Sequence, residues 1–118
     1  MIIQHVTLEV RPDDMGAEIA FWTLIGFPEV DPPPELRERF RWVQSGSTSI
    51  HLAFTEDPIV PVAGHTALVC EDYEDTIARL QEAGYDVPPR TEYWDAPRTI
   101  VTSPAGHRIE LMASGPAG

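Results

Sequence analysis

Two stretches of this chain follow one plan. Gln-His-Val-Thr-Leu-Glu-Val carries His5 and Ser-Ile-His-Leu-Ala-Phe carries His51. About 60 residues further on, His65 opens His-Thr-Ala-Leu-Val, and Glu110 falls in His-Arg-Ile-Glu-Leu-Met, so the gap within each copy is roughly 45 residues. A duplicated chain must fold as two similar units, neither of which can cover its own sheet alone. Three histidines and a carboxylate at matched places in the two copies are hard to explain as packing. They read as four ligands for one divalent metal ion.

Length and composition narrow the rest. The 118 residues suffice for one domain with a modest core, here made of a first module at about 1–55 and a second at about 64–113. The formal charge of -11 repels nucleic-acid phosphates and anionic membranes, leaving a small molecule as the expected partner. A single cysteine, Cys70, excludes an intrachain disulfide and a thiolate zinc site, which fits a reducing cytoplasm. The start Met-Ile-Ile-Gln-His lacks the basic and apolar regions of a signal peptide, and no stretch is apolar enough to span a membrane.

Along the chain, Ile2 to Val10 alternates, with His5, Thr7 and Glu9 on the more polar face. Arg11-Pro12-Asp13-Asp14 breaks the pattern and supplies a helix N-cap. Ala17, Ile19, Ala20, Phe21, Leu24 and Ile25 recur at helical spacing, and Gly26 stops the helix before Phe27–Val30 resumes extended structure. Asp31-Pro32-Pro33-Pro34-Glu35 is an exposed loop, because proline removes donors and fixes φ. Arg39–Ser45 and Thr48–Phe54 form a hairpin around Gly46, and the stretch 56–64 links the copies. The second copy repeats the order: a strand at His65–Cys70, a helix capped by Asp72 with Ile77, Ala78, Leu80 and Ala83 as its apolar stripe, a stop at Gly84, and extended residues through Val87. Strands at Arg98–Thr102 and His107–Met112 follow, with a frayed tail at Ser114–Gly118. The expected fold is α+β: paired β-α-β-β-β modules in a curved mixed sheet around a central cavity.

Side chains on alternating strands project in fixed directions, so His5, His51, His65 and Glu110 can converge without loop rearrangement. Imidazole and carboxylate donors without thiolate suit Zn²⁺, Ni²⁺, Co²⁺, Mn²⁺ or Fe²⁺. Four protein ligands leave two adjacent positions on an octahedral ion, enough to chelate a substrate's neighbouring oxygens and acidify the C–H between them. Glu110, or a water on the metal, is then the candidate base. If His51 does not bind, three open positions suit Fe²⁺ with dioxygen instead.

The chain resembles the vicinal oxygen chelate superfamily, the group of glyoxalases, bleomycin resistance proteins and extradiol dioxygenases. The resemblance is carried by His5-Val-Thr-Leu-Glu-Val, Phe21-Trp-Thr-Leu-Ile-Gly-Phe27, Gly64-His-Thr-Ala-Leu-Val69 and Ser103-Pro-Ala-Gly-His-Arg-Ile-Glu-Leu111, and covers about residues 2 to 113. It implies metal bound on the open sheet faces, with His5, His65 and Glu110 at the commonest ligand positions. His51 stands where glyoxalase I enzymes more usually carry glutamate. A metal-dependent lyase or isomerase working through an enolate-like intermediate is the activity implied first. A metal-free drug- or metabolite-binding protein of the bleomycin-resistance type and an extradiol-type dioxygenase are the alternatives. The resemblance also implies a homodimer, with the site built within one chain or across two.

Four further residues are candidate substrate contacts. Trp42, sharing a strand face with Phe40, is a candidate pocket wall. Arg41, with Arg37 and Arg39 the only basic cluster, is a candidate for a substrate carboxylate or phosphate. Trp94 and Arg98, next to Tyr93, stand at the expected cavity rim. Each has a plainer reading as packing or solvated charge. Cys70 reads as a small buried residue, His107 as a turn residue, and Glu71–Asp75 as a helix start favoured by the helix dipole.

Overall fold

A computed structural model describes residues 1–117; Gly118, the last residue of the expected tail, lies outside them. The chain divides into two compact units, Met1–Val60 and Pro61–Gly118. The class is α+β, with two mixed sheets and few helices.

The first unit contains strand β1 (His5–Val10), helix α1 (Met15–Leu24), the two-residue strand β2 (Glu29–Val30), and the hairpin strands β3 (Phe40–Ser45) and β4 (Thr48–Phe54). Their order in the sheet is β1-β4-β3-β2, with β1 parallel to β4 and the other neighbours antiparallel. β4 is thus an inner strand. Its Ile50 and Leu52, with Val43 of β3, are fully buried, while His51 between them points to the opposite, half-open face.

Helix α1 is apolar on nearly every side, so its sequence does not decide which stripe turns inward. The buried residues are Met15, Glu18, Phe21 and Trp22; Ala17 and Ala20, expected on the apolar face, are exposed. The fully buried Glu18 carboxylate accepts a hydrogen bond from the Trp22 indole N–H at 3.0 Å. Trp22 also meets Phe27 edge-on, with ring centroids 5.3 Å apart. That contact closes a Schellman-type helix end: the Phe27 N–H donates to the Trp22 carbonyl and the Gly26 N–H to the Thr23 carbonyl, with Gly26 at φ +104°.

The second unit contains β5 (Thr66–Val69), α2 (Tyr73–Glu82), β6 (Arg98–Thr102) and β7 (Arg108–Met112). Its helix ends in the same way, with Tyr85 bonded to Leu80, Gly84 bonded to Gln81, and Gly84 at φ +92°. Asp72 occupies the N-cap position, but its carboxylate accepts from the Thr76 hydroxyl, the Cys70 thiol and Arg79 rather than from the cap amides. Thr76 and Leu80 are the buried residues of α2, whereas Ala78 and Ala83 of the expected stripe are exposed.

The sheet order β5-β7-β6 corrects one expectation. The second copy has three strands, not four, and the segment matching β2 contributes only an isolated bridge between Pro89 and Thr99. Pro88 and Pro89 have no N–H to donate, so a fourth strand cannot form a ladder there. The buried face of this sheet is Val101, Ile109 and Leu111, which turns Ile100 and Glu110 the other way.

Candidate functional site

On the open face of the first sheet, β1 and β4 set Thr7 beside His51, and β3 sets Trp42 opposite it. His5 is therefore the diagonal neighbour of His51. The three rings stack in sequence: His5 and His51 have centroids 3.9 Å apart and 15° between planes, and His51 and Trp42 are at 4.1 Å and 5°. Nδ1 of His5 donates to the Gln4 side-chain oxygen at 2.6 Å, which leaves its Nε2 free to act as a ligand. Burial, and then the positive potential of the neighbouring His5, hold the His51 imidazole below its ordinary pKa. The neutral form favoured in this way is the form that binds metal.

The second sheet repeats the geometry. Ala67 of β5 pairs with Glu110, as Thr7 pairs with His51, and Ile100 stands opposite Glu110 where Trp42 stands opposite His51. His65 comes two residues before Ala67, as His5 comes two before Thr7. Its Nε2 lies 3.0 Å from Oε1 of Glu110, and its Nδ1 donates to the Ala63 carbonyl at 3.0 Å. Glu110 is nearly buried and Nε2 of His65 faces it directly, so an imidazole nitrogen and a carboxylate oxygen lie side by side.

Arg98, two residues from Ile100 on the same face, sets its Nη1 3.5 Å from the other Glu110 oxygen. Its Nε donates to the Thr91 carbonyl at 2.7 Å and its guanidinium lies over the Tyr93 ring at 5.2 Å. Arg98 is thereby fixed as a positioning group for Glu110. Trp94 spends its indole N–H on the Ser114 carbonyl at 2.7 Å, which ties the tail to the unit. Arg41 is paired across β3–β4 with Leu52, so it projects from the face opposite Trp42 and His51. There it bonds Glu29 and, with Arg37, Asp31 and Pro32, lines an open cleft of about 590 Å³.

The structure therefore gathers the expected residues as two sets, His5 with His51 and Trp42, and His65 with Glu110 and Arg98. Among the described residues no group of three or more His, Cys, Asp or Glu side chains is gathered for a metal. Ser49 was not a sequence-based candidate. It lies beside His5 on the open face, and its buried hydroxyl has no hydrogen-bond partner, nor has the buried indole N–H of Trp42. Arg108, two residues before Glu110 and so on its face, was also legible by alternation alone.

Residues 2–111 match the model of the family described as Glyoxalase/Bleomycin resistance protein/Dioxygenase superfamily. The structure is similar to a Bacillus anthracis protein described as of the glyoxalase family, at 25% identity and TM-score 0.84, covering 95% of this chain and 93% of that one. It is also similar to TnmS3, an antibiotic binding protein from Streptomyces sp. CB03234, at 25% identity and TM-score 0.72, covering 94% and 93%. A third likeness, of fold alone, is to a mutant of the Listeria monocytogenes fosfomycin resistance protein FosX complexed with Mn(II) and 1S,2S-dihydroxypropylphosphonic acid, at 18% identity and TM-score 0.72, covering 98% and 95%. A sequence search of curated proteins gives no significant match.

Proposed function

The chain belongs to the Glyoxalase/Bleomycin resistance protein/Dioxygenase superfamily, and from that premise we propose that it is a metal-dependent lyase or isomerase of the glyoxalase type. The observation that carries the reading is the register equivalence of the two pairs, His5 with His51 and His65 with Glu110. These four residues, two from each unit, are the ligands assigned to the ion in this reading. The donors fit a borderline divalent ion: His5 has Nδ1 engaged and Nε2 free, His65 has Nδ1 engaged and turns Nε2 to Glu110, and the neutral state of His51 is favoured by its surroundings. Such an ion, when bound, would supply Lewis acidity to a substrate with neighbouring oxygens.

The chain's own residues do the rest. Glu110 is the base assigned to accept a proton from substrate carbon, and Arg98 lies 3.5 Å from its second oxygen. Trp42 stacks on His51, whose other face meets His5.

The test is metal content together with thermal stability. Purified protein should retain a divalent metal, and protein stripped with chelator should melt several degrees higher once Ni²⁺, Zn²⁺, Mn²⁺ or Fe²⁺ is present well above its Kd, since saturation at about 100 Kd adds about 2.7 kcal/mol. His51→Ala should lower metal affinity about 10-fold or more while the protein stays folded. No retained metal and no shift with any of these ions would overturn the reading. A second reading, a binding protein of the antibiotic-sequestering kind, is favoured by the three-ring stack and by the likeness to TnmS3. It requires a flat aromatic or cationic ligand to raise the melting temperature in the presence of chelator.

A further inference from the structure

Along the open face of the second sheet, residues fall into rows. Ala67, Glu110 and Ile100 form one row; the next contains Arg108 and, opposite it, Thr102. His65 lies one residue before the Thr66–Ile109 pair and so stands level with Arg108. Beyond β6 the row continues into open space, because the second copy has no fourth strand beside Thr102. The result is a cleft of about 380 Å³ with Ile100, Thr102 and Arg108 as its floor and Gly84, Tyr85, Asp86, Pro88 and Arg90 as its wall.

The charge of this cleft is unusual for the chain. Of 8 basic residues against 19 acidic ones, two, Arg90 and Arg108, line this cavity, opposed by one carboxylate, Asp86. Among the described residues neither arginine forms an ion pair: Arg108 makes only a long bond of 3.4 Å to the Val62 carbonyl, and Arg90 bonds through its backbone to Arg98. Thr102 and Tyr85 line the same space. Guanidinium forks without an ion-pair partner recognise an oxyanion.

We propose that this cleft binds the anionic end, a carboxylate or phosphate group, of a small molecule whose other oxygens reach the neighbouring His65–Glu110 pair. The assignment deepens the function proposed above, because it gives that site's substrate a negatively charged group one row away from its reacting oxygens. It also separates two arginines by role. Arg98 positions Glu110 and is already bonded, whereas Arg108 and Arg90 hold donors in reserve for ligand.

Inorganic phosphate and acetate, titrated calorimetrically into chelator-treated protein against sodium chloride at matched ionic strength, test the proposal. Phosphate, acetate or both should bind wild-type protein. Arg108→Gln and the exposed Arg90→Gln should each weaken that binding about tenfold, the size expected for losing one charge-assisted bond. Arg11→Gln, at an exposed position on the other unit, should leave it unchanged. Absence of binding by either anion, or equal binding by wild type and an Arg90→Gln/Arg108→Gln double variant that retains its native circular dichroism, would overturn the site. Metal content measured on untreated protein from the same preparation keeps the two ideas separable: anion binding by a protein that retains no metal supports the cleft and counts against the metal enzyme, and retained metal without anion binding does the reverse.

Discussion

At the scale of single residues, the two copies differ in how they handle charge. Glu110 is nearly buried yet contacted by His65 and Arg98, while its counterpart His51 has aromatic rings on both sides. An imidazole in that position is best neutral, and the consequence can be measured. With its folded pKa held below the ordinary value of about 6.5, His51 contributes stability that is fully present above that pH and is lost as pH falls through the folded pKa. Metal-free wild-type protein should therefore lose melting temperature between pH 7 and pH 5, and His51→Gln should show a shallower loss over the same window. A thermal melt series in chelator reads the difference, and parallel slopes would remove His51 as the cause. Glu18 teaches a different lesson. Nothing in the spacing of α1 marks it as buried, because apolar residues surround the helix on nearly every side and the indole that satisfies its carboxylate, Trp22, was itself only one of several aromatic neighbours.

At the scale of elements, the turn glycines carry the repeat as faithfully as the candidate ligands do. Gly26 and Gly84 occupy the same place after their helices, both with positive φ and both with open space where a side chain would go. The strain of an alanine there comes from the backbone alone. Gly26→Ala and Gly84→Ala should each cost about 1–2 kcal/mol in urea unfolding, and an unchanged midpoint would show that the helix end relaxes without cost. Strand alternation was the most legible signal in the sequence: His5 and His51 share a face in the register, and His65, one residue before β5, meets Glu110 through its ring. Arg41 was less legible as a candidate contact, since its charge suggested a ligand while its odd-numbered place on β3 puts it with Leu52 on the other face.

At the scale of the whole molecule, duplication made the fold readable and also caused the one overstatement, a fourth strand in the second copy. Pro88 and Pro89 carried the contrary signal, and the repeat argument overrode it. Family and class followed from order and spacing, whereas the cleft lined by Arg90 and Arg108 did not, because it exists only where the two copies depart from each other. The acidic balance of the chain is set by side chains, and no helix among the described residues is long and apolar enough to cross a membrane.

The paired prolines have one more effect. Two successive residues without an amide hydrogen leave the outer rim beside β6 unable to offer a row of donors to a foreign strand, so that rim resists growth into fibrils at high concentration. Pro88→Thr/Pro89→Val restores those donors, and light scattering from concentrated stocks should rise over days where the wild type stays clear. The same feature that leaves room for a ligand thus guards the molecule against its own copies.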